Sequence, residues 1–299
     1  MNRWLKIALL SSLPVVASAH TMSPFVLPEA FDTKAAQNLS FQSAVTIEKF
    51  FTPGFNFKTS YVITEPDGQQ KTINPAASLK RFSVAEFDLP KDGTYRIRTQ
   101  DGLGNSGKYA LVDGRWLRVR AVRPQAANAP KPEAKQAPAQ AAKTADAKPA
   151  QPPRMIMSDQ VPANAQTLEV TNHLIAETFI SKAKPSAIPA VTNKGFELKF
   201  ITHPNELYEG ESLKAQVLNN GKAVKDLEID VFKGAGQFDG AQTKELSAVK
   251  TNAKGEFEVK FDEPGVYLIT TSYPEANPDA TKKPATDVYT YGLTVEVTQ

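Results

Sequence analysis

Phe261-Asp262-Glu263-Pro264-Gly265-Val266-Tyr267-Leu268-Ile269-Thr270-Thr271 reads as a strand end, a tight Pro-Gly turn and a second strand rich in β-branched residues. Far upstream, Phe87-Asp88-Leu89-Pro90-Lys91-Asp92-Gly93-Thr94-Tyr95 followed by Arg96-Ile97-Arg98-Thr99 repeats that order. In both copies a tyrosine follows the turn. An amphipathic aromatic in that place packs its ring inside a sandwich and turns its hydroxyl to a backbone partner at the edge. Tyr95 and Tyr267 are therefore expected to be structural, and the repeat predicts two sandwiches in one chain.

The segments around the second copy agree. Phe196 to Ile201, Ser212 to Leu218, Leu227 to Phe232, Phe257 to Phe261, Val266 to Thr271 and Tyr289 to Val297 alternate apolar and polar residues in short runs. Asn219-Asn220-Gly221 separates two of them as a hairpin turn, because Asn and Gly tolerate positive φ. Asn252 to Gly255 and Pro264-Gly265 punctuate the next ones. Helical signals are scarce. The predicted class is all-β, with two immunoglobulin-like or transthyretin-like sandwiches.

Between the repeats lies a segment of another kind. From Pro124 to Pro153 the chain is dominated by Ala, Pro, Lys and Gln, without an aromatic or large aliphatic residue. Such a composition cannot offset the entropy of ordering, so residues 124–153 are expected to be a disordered insertion. Fully stretched, it would reach roughly 90 Å at about 3.1 Å per residue. It reads as a solvated spacer, or as an arm that engages a wall or partner through its lysines. Leu168 to Ser181, LEVTNHLIAETFIS, fits a strand pair or a short helix, and its Thr, Val and Ile content favours strands returning to the first domain. Pro185 and Pro189 then mark a boundary. The expected domains are 20–185, containing the insertion, and 195–299.

The start of the chain sets the compartment. Arg3 and Lys6 precede the apolar run Ile7 to Val16, and Ala17-Ser18-Ala19 offers an A-x-A cleavage site just before His20. That pattern predicts a secretory signal peptide over 1–19, a mature start at His20 and a periplasmic location. The run is too short for a membrane span, and no later segment approaches about 20 apolar residues. Cleavage removes Arg3 and Lys6 and lowers the net charge from +3 to +1. This balance gives no electrostatic case for nucleic acid. The chain has no cysteine, which excludes disulfides, thiolate metal sites, iron–sulfur clusters and a cysteine nucleophile.

A histidine carrying a free α-amine can close a chelate ring on a transition metal through that amine and its Nδ1. His20 is thus a candidate ligand made by processing, with a flexible exposed terminus as the alternative. The chain has three histidines, His20, His173 and His203. No H-x-x-x-H, HExxH or Asp-rich calcium loop occurs, so a metal site requires the fold to bring His20 beside His173 or His203, with Met22 or a carboxylate completing it. Nitrogen ligands of this type suit Ni or Cu, with copper tighter at a given site. His203 precedes Pro204 and reads equally as a turn or interdomain packing residue. Met155 and Met157 offer soft ligands for Cu(I), or mark re-entry into packed structure. No G-x-S-x-G elbow, phosphate-binding glycine loop or evident triad is present, and Glu209, Glu211, Asp262 and Glu263 sit beside turns where solvated charges are expected. The chain is therefore expected not to be an enzyme.

His20-Thr21-Met22-Ser23-Pro24-Phe25-Val26-Leu27-Pro28, Glu177-Thr178-Phe179-Ile180-Ser181, Gly195-Phe196-Glu197-Leu198 and His203-Pro204-Asn205-Glu206-Leu207-Tyr208-Glu209-Gly210-Glu211 resemble a family of bacterial periplasmic proteins. So do Leu218-Asn219-Asn220-Gly221-Lys222-Ala223-Val224, Thr251 to Gly255 and Glu263 to Tyr267. The family is a domain of unknown function of the 4198 type, often labelled as nickel or cobalt uptake accessories. Its starts are often histidine-rich, whereas Thr21 and Met22 follow His20 here. The resemblance implies a periplasmic β-sandwich protein that binds nickel, cobalt or copper as an accessory to uptake, with a metal permease or outer-membrane receptor as partner. The alternative is a non-catalytic envelope interaction module that binds a protein or glycan.

Overall fold

The computed structural model describes residues 22–46, 53–56, 58–100, 106–122, 154–234, 244–274 and 280–299. The predicted signal peptide, His20 and the predicted insertion at 124–153 lie outside the described residues. Strands follow in chain order. The first are β1 (Ser23–Pro28), β2 (Asp32–Thr33), β3 (Asn38–Thr46), β4 (Pro53–Phe55), β5 (Tyr61–Thr64), β6 (Gln70–Ile73), β7 (Ala77–Ser78) and β8 (Ser83–Asp88). Next come β9 (Gly93–Thr99), β10 (Ser106–Val112), β11 (Arg115–Arg120), β12 (Met155–Met157) and β13 (Thr167–Lys182). The last are β14 (Phe196–Phe200), β15 (Ser212–Asn219), β16 (Lys222–Ala223), β17 (Glu228–Lys233), β18 (Lys244–Lys250), β19 (Glu256–Lys260), β20 (Gly265–Tyr273) and β21 (Asp287–Val297). Among the described residues the helical element is one 3₁₀ turn, Ser158–Gln160.

Two β-sandwiches of immunoglobulin-like character result, as the strand pattern predicts. In the first, a sheet ordered β1-β3-β8-β7, with β4 on β3, faces β6-β5-β9-β13. Val26, Leu39, Phe41, Tyr61, Ile63 and Tyr95 fill the space between. In the second, β19-β15-β14, with β16 on β15, faces β13-β21-β20-β17-β18. Phe196, Leu213, Phe261, Tyr267, Tyr291 and Leu293 belong to its core. Asn220 and Gly221, at φ 49° and 73°, form the two-residue loop between β15 and β16, where Asn219 pairs with Lys222. Both loop residues have the positive φ that a type I′ turn demands.

Both repeat tyrosines close the same local bond. The Tyr95 hydroxyl donates to the Lys91 carbonyl at 2.7 Å, and the Tyr267 hydroxyl to the Glu263 carbonyl at 2.6 Å. Each reaches back four residues over its turn, which ties the strand to the corner before it.

The two sandwiches share a strand. β13 is one sixteen-residue strand, where sequence alone reads as separate strands or a short helix. Along one edge it pairs antiparallel with β10, Thr171 opposite Ser106, and with β9, Phe179 opposite Arg96. β21 runs parallel to it, Thr171 opposite Asp287 through Thr178 opposite Thr294. Successive side chains of a strand point to opposite faces. Ala176 and Ile180 accordingly enter the first core, while Ile175 and Phe179 enter the second. A strand covered on both faces carries a nearly continuous apolar run in place of alternation, and LIAETFI is such a run.

A further contact locks the layers. Phe25 and Ala44, on the face of β1 and β3 turned away from the first core, close on Leu268 of β20. The Thr270 hydroxyl donates to the Ser23 hydroxyl at 3.2 Å. Gly292 of β21 lies directly beneath the Pro24 carbonyl, where any Cβ would collide with its oxygen.

Candidate functional site

β9 alternates Tyr95 and Ile97, which face the first core, with Arg96 and Arg98, which face the other way. On an isolated sandwich those arginines would stand in water. Here the second sandwich covers them. Arg96 donates through Nε to one oxygen of Glu177, Arg98 through Nη1 to the other at 3.0 Å, and the Tyr291 hydroxyl to the same oxygen at 2.7 Å. Arg98 also donates to the Phe196 carbonyl at 2.8 Å, which ties β9 to β14. Glu177 is 0% exposed. Burial by itself raises its carboxyl, but the two guanidiniums and the Tyr291 hydroxyl prevail and hold it below the usual glutamate range. Burial first, and the Glu177 charge second, push the Tyr291 phenol well above its ordinary value.

The chain between β13 and β14 straps across this seam. Ser186 exchanges hydrogen bonds with Thr94, its amide donating to the Thr94 hydroxyl at 2.9 Å and its hydroxyl accepting from the Thr94 amide at 2.8 Å. Thr192 donates from its amide and hydroxyl to Glu197 Oε1 at 2.9 and 3.0 Å. On one side of the strap a cavity of about 340 Å³ is lined by Arg96, Arg98, Thr99, Gln70, Lys194 and Glu197 among others. On the other, a cavity of about 200 Å³ is walled by Phe179, Ile188, Leu198 and Phe200, again with Arg96.

Glu197 is 2% exposed, and its Oε2 is buried without a hydrogen-bond partner among the described residues. Arg96 uses Nε on Glu177, and its terminal amino groups make no hydrogen bond among the described residues. Arg96 and Glu197 are both among the residues that line the larger cavity. Charged side chains around one polar hollow can hold a small ligand through charge-assisted hydrogen bonds.

The residues singled out from sequence are dispersed. His203 accepts through Nδ1 from the Asn205 amide at 3.1 Å, so its Nε2 carries the proton and donates to the Ser186 carbonyl at 2.9 Å, with the Thr94 hydroxyl at 3.2 Å. Both ring nitrogens are occupied in clasping the strap. His173 stacks on Tyr289 with ring centres 4.7 Å apart, and its Nε2 lies 2.9 Å from Asp287 Oδ1. That hydrogen bond, ahead of one from Thr286, lowers the Asp287 carboxyl. His203 meets β13 near Ser181 through Asn205, at 3.3 Å. His173 sits eight residues away along the strand, roughly 26 Å at about 3.3 Å per residue. These two histidines do not share an ion, since metal–nitrogen bonds are about 2 Å long. Met22 is 54% exposed directly before the buried Ser23. Met155 and Met157 occupy the edge strand β12, opposite Arg118 and Arg120. Among the described residues no group of three or more His, Asp or Glu side chains could hold a metal ion. His20 lies outside them.

Sequence reading missed the seam residues. The available signal was Glu177, a lone carboxylate inside the apolar run Leu174 to Ile180. A charge in such a run needs a buried partner.

A family model described as a domain of unknown function (DUF4198) matches residues 17–275. None of the curated proteins compared matches the chain. Among solved structures, the D0-D1 domain of Intimin is similar at TM-score 0.23 and 11% identity, covering 92% of this chain and 97% of that one. The Yersinia pseudotuberculosis adhesin InvE is similar at TM-score 0.21 and 9% identity, covering 93% and 61%. A tetra-tandem repeat from the extending region of a large adhesion protein is similar at TM-score 0.22 and 10% identity, covering 93% and 74%. Scores of this size carry nothing about what the chain does.

Proposed function

The chain belongs to this family of unknown function, and on that premise we propose that it is an exported, non-catalytic binding module of the bacterial envelope. Its ligand enters the cavity at the seam between the sandwiches. The observation that carries this reading is the polar cavity itself, lined by Arg96, Arg98, Lys194 and Glu197 where the strap crosses the seam. The seam is also stiff, because Arg96 and Arg98 are fixed by Glu177 before any ligand arrives. Preorganised groups lose little entropy on binding.

Thermal unfolding of the mature chain against a panel of small amino acids, carboxylates, amines, sugars and sugar phosphates tests the proposal. A ligand at about 100 times its Kd adds about 2.7 kcal/mol of stability and raises the midpoint. An increase that is lost in Glu197→Gln supports the seam as the site. No increase across the panel sinks it.

A second reading is transition-metal binding at a processed start, and the fixed position of β1 favours it. Ser23 is buried and bonded to Thr270, and Met22 stands exposed ahead of it. A mature start at His20 would place an α-amine, an imidazole and the Met22 thioether within three residues of that anchor. Nickel, cobalt or copper would be the cargo, and a metal permease or outer-membrane receptor the partner. Calorimetric titration of periplasmic protein with a verified N-terminus is the test. Stoichiometric binding abolished by one extra residue before His20 is expected, and unchanged affinity in His20→Ala would end the reading.

A further inference from the structure

We infer that the edge formed by β11 and β12 docks on an anionic phospholipid surface through the face that carries Arg118, Arg120, Met155 and Met157, an inference that goes beyond the seam and does not depend on it. β10, β11 and β12 extend the sheet past both sandwiches. β10 joins β13 opposite Thr167 to Thr171, ahead of the residues that enter the cores, and among the described residues no side chain of β10, β11 or β12 belongs to either core. Arg118 opposes Met155, and Arg120 opposes Met157. Residues opposite one another share a face, and every second residue of a strand returns to it, so all four stand on one side. Tyr109 opposes Arg118 on that side. The Arg118 guanidinium lies over Gly107, where a Cβ would be 3.5 Å from Arg118 Nε and 3.7 Å from the Tyr109 ring.

This face is open. Arg118 and Arg120 are exposed, Met155 and Met157 are 47% and 36% exposed, and Val122, just beyond β11, is 46% exposed. The opposite face is covered instead, with Leu117 buried and Val119 and Ile156 half-buried. Scattered single apolar side chains are ordinary on a surface, whereas these three lie together along one edge. The acidic residues of these strands and turns lie elsewhere. Glu169 opposes Lys108 on the other side of the sheet, and Asp113 and Asp159 occupy the turns after β10 and β12.

Charge selects the partner. From Arg115 to Arg154 the sequence carries nine basic residues and two acidic ones, whereas the rest of the chain carries 26 basic and 30 acidic. A copper ion held by the Met155 and Met157 sulfurs would sit against two arginines, and a second copy paired edge to edge along β12 would bring four arginines together. Like charges disfavour both. An anion is favoured, and a guanidinium fork matches a phosphate in bidentate fashion. The apolar side chains choose among anions. They suit a headgroup layer with acyl chains beneath, where the two thioethers and the valine leave water while the arginines stay at phosphate level. A soluble polyanion offers charge but no apolar layer for them to enter.

Cosedimentation of the mature full-length chain with phosphatidylglycerol vesicles and with phosphatidylcholine vesicles, beside titration with soluble dextran sulfate, tests the inference. Binding to phosphatidylglycerol and not to phosphatidylcholine is expected, and it should weaken as salt screens the surface charges. Arg118→Gln and Arg120→Gln should each lower vesicle affinity about fivefold, the worth of one cationic side chain near an anionic surface. The double variant Met155→Ser, Met157→Ser should lower it about tenfold and leave any binding of dextran sulfate unchanged. All four side chains are exposed, and an unaltered urea transition verifies that the variants fold. Equal binding to phosphatidylcholine, phosphatidylglycerol binding indifferent to the arginine variants, or no vesicle binding at all overturns the inference. Vesicle binding indifferent to the methionine variant, or dextran sulfate bound as tightly as the vesicles, assigns the face to a soluble polyanion and overturns the lipid surface as its partner.

Discussion

At the scale of single residues, Glu177 governs the seam. Removing one partner of a buried ion pair typically costs about 3–5 kcal/mol, because the remaining charge is stranded. Glu177→Gln leaves Arg96 and Arg98 without their carboxylate and is expected to lower stability by about that amount in urea titrations. The sign of the pH dependence follows from the lowered carboxyl. A depressed folded value means that the unfolded chain binds protons more readily, so the contribution is fully present above the ordinary glutamate value of about 4.3. It is lost as pH falls through the folded value. Glu65, lowered by hydrogen bonds from Lys71 and Lys91, acts in the same direction. Urea midpoints measured from pH 7 downward should fall below about pH 4 in the native chain. The fall should be shallower in Glu177→Gln. The two corner tyrosines give a milder test, since Tyr267→Phe or Tyr95→Phe removes one hydrogen bond and keeps the ring, with an expected loss of about 0.5–1.5 kcal/mol.

Among the elements, β13 and β21 show how far pattern reading reaches. Hairpin turns were legible because their chemistry is local: the positive φ of Asn220 and Gly221 is written in the residue types themselves. The strands from β14 to β21 were mostly legible for the same reason, their inward residues alternating. β13 was not, because both of its faces are covered and alternation disappears from its apolar run. β21 hides a second contact in one residue. Gly292 admits the Pro24 carbonyl against the sheet, so Gly292→Ala should push β1 off its seat and cost at least about 1–3 kcal/mol, typical of overpacking. Chemical denaturation checks the magnitude, and a neutral result would show that β1 yields there at no cost.

For the whole molecule, sharing one strand makes the sandwiches interdependent. Ile175 and Phe179 complete the second core from a strand that precedes the Pro185 boundary in sequence. A fragment spanning 195–299 loses those two side chains, each contributing about 1.5–3 kcal/mol when buried, and exposes the edge of β21. It is expected to lack a cooperative urea transition, whereas a fragment spanning 167–299 should retain one. Cooperative unfolding of the shorter fragment at undiminished stability would refute the dependence. The all-β class, the turns, the paired strand–turn–strand repeat and its two structural tyrosines follow from sequence alone, because each depends on neighbours a few residues apart. The meeting of Arg96, Arg98, Glu177 and Glu197 was decided only in three dimensions. A period of two tells which side chains share a face of a strand, but Arg96 and Arg98 alternating with Tyr95 and Ile97 look the same whether that face meets water or a second sandwich, and only the long-range pairing of β13 with both β9 and β21 determines which.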